Sequence, residues 1–112
     1  MLKAKITKPA PTQVPTPVIE EGNYVVNSAA GEYVGQSGQI SKRLQEHVRT
    51  GKFTAAEVAG AQRVHVPGGK LAREINEQLL IDSKGGIVNL LNKVNPIGPK
   101  RFGVMPNQPY SR

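Results

Sequence analysis

The feature that most constrains the fold is a pair of short β-type segments joined by a tight turn. The segments are residues 23–28 and 31–36, and the turn between them is Ala29-Ala30-Gly31. Valine and tyrosine favour the half-buried surface of a strand, and a turn containing glycine lets the chain reverse direction. The sequence therefore predicts an antiparallel hairpin. Whether Tyr24 and Tyr33 share a face depends on the register of pairing, which the sequence leaves open.

Two helices are predicted after the hairpin, because apolar residues recur every four positions in two places. These residues are Ile40, Leu44 and Val48 in the first pattern and Leu71, Ile75 and Leu79 in the second. This period predicts helices over about residues 40–50 and about residues 69–84. Glycine follows each pattern, at Gly51 and at Gly85-Gly86, and is expected to end each helix.

A third strand is predicted between the helices, where residues 58–66 end in an alternating pattern before Pro67-Gly68-Gly69. The element order is then ββαβα, followed by a tail punctuated by proline and glycine. We expect a small α+β domain with one antiparallel sheet of about three strands flanked by helices.

Charge and composition limit the classes of partner and chemistry. The 112 residues carry a net charge of +7. Residues 1–22 are rich in proline and form a predicted linker, so residues 23–112, with their basic C-terminal tail, keep about +6. Such an excess favours a polyanion, nucleic acid first. The absence of cysteine excludes disulfides, thiolate metal sites and cysteine nucleophiles. No membrane-spanning run or signal peptide is present, so no membrane partner is expected.

The candidate catalytic residues begin on the hairpin and continue onto the first helix. Arg43 lies eight residues after Gly35 and His47 four residues later, on the same helical face. Arginine can bind a phosphate oxygen, histidine can transfer a proton, and Tyr24 or Tyr33 can orient or deprotonate water. Two plainer interpretations stay open: the basic pair is a solvated helix flank, and the tyrosines only pack the sheet.

Glu77 is the candidate metal ligand, on the second helix and beside its apolar stripe. A carboxylate at a half-buried helix edge is costly unless it is paired or binds a metal ion. Mg²⁺ (or Mn²⁺) takes one or two carboxylates together with substrate phosphates, which suits a single glutamate facing a phosphodiester. The alternatives are a salt bridge from Glu77 to Arg73, and Glu74 as the ligand instead.

Further polar residues are predicted to contact nucleic acid. They are Gln36, Ser37, Lys42, Lys93, Asn95, Lys100 and Arg101. Basic side chains near the first helix and in the tail suit contacts to backbone phosphates. Ser37 is equally suited to capping a helix, and the tail to being merely solvated. His65, on the predicted third strand, is expected at the solvent or the sheet edge.

Together these residues resemble the GIY-YIG endonuclease domain, over about residues 23–97. That family has two tripeptides on paired strands, an arginine eight residues beyond the second glycine, a histidine or tyrosine one turn later, and a metal-binding glutamate on a later helix. The matching residues here are Tyr33-Val34-Gly35, Arg43, His47 and Glu77. The first tripeptide, around Tyr24, departs from Gly-Ile-Tyr. The family's late asparagine is Asn92 or Asn95, and we prefer Asn95.

The resemblance implies a function and a biological setting. The chain is most similar to the nuclease modules at the C-termini of bacterial polymorphic toxins of the contact-dependent-inhibition and Rhs kinds. It implies a secreted effector that acts in the target-cell cytoplasm, cleaves DNA or RNA with DNA the more favoured, and is blocked by a cognate acidic immunity protein.

Alternatives to this interpretation are a metal-independent RNase toxin, a non-catalytic nucleic-acid-binding module and a domain that binds an acidic protein. If the enzyme interpretation holds, Tyr33, Arg43, His47 and Glu77 should converge on one concave surface. We also expect Arg43 and Glu77 on the same face of the sheet. Placement on opposite faces would contradict the active-site assignment and favour the non-catalytic binding module.

Overall fold

The computed structural model describes residues 18–106 and has the predicted α+β class. Its elements are β1 (Gly22–Ser28), β2 (Gly31–Ser37), α1 (Ile40–Arg49), α2 (Ala55–Ala59), β3 (Gln62–His65) and α3 (Lys70–Ser83). Two short 3₁₀ helices, Ile87–Asn89 and Pro99–Val104, follow. The strands form one antiparallel sheet in the order β2-β1-β3, so β2 lies at an edge. No described helix is long and apolar enough to cross a membrane.

The hairpin register places both tyrosines on the same face of the sheet. Tyr24 pairs with Gly35, and Val26 pairs with Tyr33. Residues two apart on a strand point to the same face, and so do paired residues on neighbouring strands. Tyr24 and Tyr33 therefore lie on one side, and the intervening Val25 and its partner Val34 lie on the other.

The two long helices cover opposite faces of the sheet. Tyr24 and Val26 pack with Ile40 and Leu44 of α1. On the other face, Val25 and Val34 pack with Ile81 of α3. The expectation that Arg43 and Glu77 lie on the same face is therefore wrong. The cause is the alternation of the strands, because both faces of the hairpin carry apolar side chains and each face needs its own helix.

A short helix, α2, is absent from the sequence-based prediction, which placed a strand from residue 58. The structure confines β3 to Gln62–His65. A capping box starts α2: Thr54 Oγ1 accepts a hydrogen bond from Glu57 N at 3.1 Å, and Thr54 N donates to Glu57 Oε1 at 2.9 Å. The Thr-x-x-Glu spacing is a helix-start signal that reveals this element from sequence.

The folded region begins before residue 23, where the linker was predicted to end. Ile40 N and Ser41 N donate to the backbone and side-chain oxygens of Glu20, both at 2.8 Å. Val66 N donates to Glu21 O at 3.1 Å. These contacts attach residues 20–21 to the start of α1 and the end of β3. The rest of the predicted linker, residues 1–17, lies outside the described residues, as do residues 107–112.

Candidate active site

Tyr24 and His47 form a buried hydrogen-bonded pair. The Tyr24 hydroxyl lies 2.9 Å from His47 Nε2. To reach the histidine, the tyrosine ring crosses β2 over Gly35, where any Cβ would collide with the ring and its hydroxyl. Gly35 is thus required by close packing, and its lack of a side chain brings the Tyr24 hydroxyl to the edge strand.

His47 is enclosed by aromatic rings and stays neutral near pH 7. It is 5% exposed, and its ring lies 5.4 Å from Phe53 and 5.7 Å from Tyr33 in edge-on contacts. Burial, with Arg43 and Lys52 nearby, lowers the pKa of His47 to about 4. A neutral imidazole has one nitrogen free to accept a proton, and in one tautomer that nitrogen is the Nε2 facing Tyr24.

Arg43 approaches the same tyrosine from the solvent side of α1. Its side chain is 50% exposed and forms an ion pair with Glu46 at 3.0 Å. Burial raises the pKa of Tyr24, and the Tyr33 phenol raises it further, while the neighbouring Arg43 guanidinium opposes the shift. Arg43 therefore supplies a positive charge next to the Tyr24 hydroxyl.

Glu77 is a buried carboxylate that has no hydrogen bond or ion pair with the other residues between 18 and 106. It is 8% exposed. The alternative salt bridge to Arg73 does not form, because Arg73 instead contacts Glu21 at 3.5 Å and Gln36 at 2.8 Å. Burial, with a smaller contribution from Glu74, raises the pKa of Glu77 to about 7.

A cavity of about 320 Å³ lies beside β2 at the edge of the sheet, and we call it the β2-edge cavity. Its lining includes Tyr33, Gln36, Lys52, Glu77, Asn92 and Lys93. Glu77 reaches it from the α3 face, and Tyr33 from the α1 face. The Glu77 charge raises the pKa values of both Tyr33 and Tyr24. Of the predicted catalytic residues, Tyr33 and Glu77 thus meet at the edge of the sheet, whereas Tyr24, Arg43 and His47 do not line this cavity.

The structure distinguishes the two candidate asparagines. The Asn92 side chain pairs with both backbone groups of Val34, accepting from its N–H at 3.0 Å and donating to its C=O at 2.7 Å. Asn92 thereby covers part of the open edge of β2 and lines the cavity. Asn95 accepts from Gln78 at 2.8 Å and is not part of the cavity lining. The geometry favours Asn92, contrary to our preference for Asn95.

The residues predicted to contact nucleic acid are only partly brought together. Gln36 and Lys93 line the β2-edge cavity. Ser37 accepts from Gln39 N at 2.9 Å in the turn before α1. It does not cap the helix, because the N-cap residue of α1 is Gln39 and no side chain caps it. Lys42 is exposed on α1 but does not line the cavity.

Residues 91–96 of the tail supply half of the cavity lining, but the later basic residues of the tail and β3 do not line it. Lys100 is exposed outside it, and Arg101 pairs with Glu74 at 2.9 Å. His65 is exposed, with Nδ1 3.2 Å from Glu21 O, as expected for a residue at the sheet edge.

Sequence reasoning missed Lys52, which lines the β2-edge cavity next to Tyr33. Its Nζ lies 3.9 Å from the centroid of the Tyr33 ring. The available signal is its position directly after Gly51, where the chain leaves α1 just beyond His47. A lysine there projects from the end of the helix that carries the other candidate residues.

The donor set fits a metal ion bound mainly by substrate and water. No group of three or more His, Asp or Glu residues between 18 and 106 is placed to hold an ion. Glu77 nevertheless offers a buried carboxylate on the cavity that is unpaired within residues 18–106, with Glu74 one turn earlier on the same lining. One or two carboxylates with phosphate and water oxygens are the usual ligands of Mg²⁺.

Comparison of the chain with family models, curated proteins and solved structures finds no match.

Proposed function

We propose that this protein is a metal-dependent endonuclease that cleaves phosphodiester bonds, with DNA favoured over RNA. The observation that carries the proposal is that Glu77 and Lys52 both line the β2-edge cavity, beside the Tyr24–His47 pair, and that neither forms an ion pair with a residue between 18 and 106. A buried carboxylate without a partner is unfavourable unless a bound ligand pairs with its charge. A divalent cation would neutralise the Glu77 carboxylate, and a phosphodiester would neutralise the Lys52 ammonium group.

Each residue of the site has a role in the proposed reaction. Glu77 would hold Mg²⁺ or Mn²⁺, which when bound supplies charge stabilisation to the scissile phosphate and the leaving oxygen. Arg43 neutralises negative charge on the phosphate as it develops. Tyr24 takes a proton from the attacking water while its own hydroxyl proton passes to His47 Nε2. The low pKa of His47 makes this protonated state short-lived.

We assign the proton transfer to Tyr24 because, of the two tyrosines, it is the one hydrogen-bonded to His47. Tyr33 lies beside both rings and lines the cavity, so it shapes the space for the nucleophilic water. Its own pKa is raised by burial and by Glu77, which keeps its hydroxyl protonated and able to donate a hydrogen bond.

One observation favours a second candidate, a non-catalytic nucleic-acid-binding module. Helices α1 and α3 cover opposite faces of the sheet, an arrangement that we expected of such a module and not of an enzyme. The shared cavity supports the nuclease, because Glu77 and Tyr33 both line it although they come from opposite faces of the sheet.

The proposed setting follows from the toxin-domain resemblance. The protein would be the C-terminal toxic domain of a secreted bacterial effector, acting in the cytoplasm of a target cell. A nuclease made without protection would damage its producer, so we propose a cognate acidic immunity protein. A net charge of +7 favours rapid binding of an acidic partner through electrostatic steering. Production at high level without an inhibitor, leaving growth and host nucleic acids intact, would contradict the toxin proposal.

The direct test of activity incubates the purified protein with plasmid DNA and with total RNA, each with Mg²⁺ and with EDTA. The nuclease proposal expects cleavage with Mg²⁺ and none in EDTA, and no cleavage by Glu77→Gln. Cleavage of RNA that persists in EDTA would support the metal-independent RNase instead. Binding without cleavage under every condition would support the non-catalytic module.

A further inference from the structure

Lys52 is held at the β2-edge cavity by the face of Tyr33. Its Nζ lies 3.9 Å from the ring centroid, a distance at which the ring quadrupole attracts an ammonium group. Its backbone is fixed as well, because Lys52 N donates to His47 O at 2.9 Å. The next residue, Phe53, is 3% exposed and packs on the His47 ring. The lysine charge is therefore positioned by aromatic and backbone contacts.

No acidic side chain neutralises this lysine within the described part of the chain. None of the ion pairs between residues 18 and 106 includes Lys52. Burial lowers its pKa, and the positive charges of Arg43 and Lys93 lower it further. Cations that repel one another in a partly buried space are unfavourable on their own, and an anion bound among them removes the repulsion.

The β2-edge cavity keeps opposite charges apart. Glu77 and Lys52 both line it, yet neither forms an ion pair with a residue in the range 18–106. Lys93 lines it too. The acidic part of the lining suits a cation, and the basic part suits phosphate oxygens. A nucleic-acid strand presents successive phosphates, so one can face Glu77 through a metal ion while its neighbour faces the lysines.

We propose that Lys52 and Lys93 form a binding site for a backbone phosphate of the nucleic acid, next to the phosphate that is cleaved, with Lys52 as its principal contact. This inference rests on the proposed nuclease function. It assigns a binding role to Lys52 and explains the Lys52–Tyr33 contact, which holds the ammonium group in position before substrate binds. Such preorganisation lowers the entropy lost on binding.

Salt-dependent binding tests the phosphate site separately from catalysis. The full chain carrying Glu77→Gln is titrated into a short fluorescent DNA duplex over a range of salt concentrations. Lys52→Met in this background should weaken binding about 10-fold at low salt. It should also reduce the slope of log affinity against log salt by about one, as expected when one phosphate contact is lost.

Two further variants serve as controls. Lys52→Arg keeps the positive charge and should retain the slope. Lys70→Met removes the same charge from an exposed residue at the start of α3, outside the cavity lining, and should leave the slope nearly unchanged. Lys52→Gln replaces Lys52→Met if urea denaturation shows that the methionine variant is unfolded.

The outcomes separate the phosphate site from the nuclease. If Lys52→Met and Lys70→Met change the slope equally, or if Lys52→Met leaves it unchanged, Lys52 contributes only to a diffuse field and the inference is wrong. A Lys52-dependent slope in a protein that cleaves neither DNA nor RNA would overturn the nuclease proposal alone. Cleavage lost in Glu77→Gln, with a normal slope for Lys52→Met, would overturn the phosphate site alone.

Discussion

The two sides of the candidate site differ in how completely the protein satisfies its own polar groups. On the α1 side, Tyr24 and His47 are buried and hydrogen-bonded to each other, and Phe53 packs on the histidine ring. On the α3 side, Glu77 is almost as buried but has no partner among the described residues. The polar groups of the α1 side are satisfied within the chain, whereas the Glu77 carboxylate faces the β2-edge cavity.

The difference separates structural from functional contributions. A satisfied buried pair stabilises the fold, so its loss lowers both stability and activity. An unsatisfied carboxylate destabilises the fold whenever it is ionised, because burial penalises its charge. If Glu77 serves a bound cation, its removal should abolish activity while leaving the free protein at least as stable.

The largest expected effect is that of Glu77→Gln on cleavage. The amide keeps the shape of the side chain but cannot hold a divalent cation by charge, so the rate with Mg²⁺ should fall by orders of magnitude. In urea denaturation at pH 8, without metal, the variant should be at least as stable as the wild type. Cleavage is measured on supercoiled plasmid with both proteins at matched concentration.

Tyr24→Phe is the matched variant on the α1 side. Loss of the hydrogen bond to His47 should cost about 1 kcal/mol of stability. Loss of the proton relay should slow cleavage by about 10²-fold or more. A Glu77→Gln protein that is active, or that is destabilised as much as Tyr24→Phe, would show that the two sides of the site do not differ as proposed.

Arg43→Ala should give the next largest effect, a fall of about 10²–10³ in rate with folding retained, because one charge-stabilising donor is lost. Its side chain is half exposed, so its removal leaves no buried cavity. Arg49→Ala is the control. It removes a positive charge from the last residue of α1, three residues before Lys52, and should change the rate only a few-fold. Equal rates for the two variants would mean that Arg43 contributes only to net charge.

Gly35→Ala should disturb the α1 side specifically. The added methyl group would collide with the ring and hydroxyl of Tyr24 and displace them from His47. Overpacking of this kind typically costs about 1–3 kcal/mol. The control is Gly98→Ala, where an added Cβ meets nothing within 4 Å. Urea denaturation compares the two, and equal stabilities would show that Tyr24 does not depend on the space above Gly35.

Local patterns predicted most of the fold. The β-branched and aromatic runs predicted β1 and β2, and the four-residue period of Ile40 and Leu44 predicted α1 closely. The sequence could not predict which face each helix covers, because β1 is apolar on both faces and either placement buries it. Long-range packing decides that α1 and α3 lie on opposite sides.

The site was predictable where spacing along one element fixes geometry. Arg43 and His47 are one turn apart, and Gly35 lies opposite Tyr24 once the hairpin register is known. Lys52 and Asn92 were harder to predict from the sequence, because tertiary contacts determine where loop residues lie. The Asn92 pairing with Val34 joins residues 58 positions apart, which no local pattern encodes.

The last prediction concerns pH, where the two sides should have opposite influences on stability. Burial raises the pKa of Glu77 from 4.5 to about 7, so between these values the folded state binds more protons than the unfolded state. Stability from this group is present below pH 4.5 and is lost as pH rises through 7. Burial lowers the pKa of His47 from 6.5 to about 4, so its contribution is present above pH 6.5 and is lost as pH falls through 4.

The opposing slopes overlap between about pH 4.5 and 6.5, where they should nearly cancel in the wild type. Each variant removes the contribution of one group, so the pH dependence of the free energy of unfolding that comes from the other group becomes measurable. Glu77→Gln should make the free energy of unfolding rise with pH across this range, and His47→Gln should make it fall. The change for each is about 3 kcal/mol at most, since one pKa unit corresponds to about 1.4 kcal/mol. Urea midpoints measured at several pH values for the three proteins provide the check. Because surface carboxylates contribute equally to all three, a Glu77→Gln profile parallel to the wild type would show that Glu77 is not the unsatisfied group of the site.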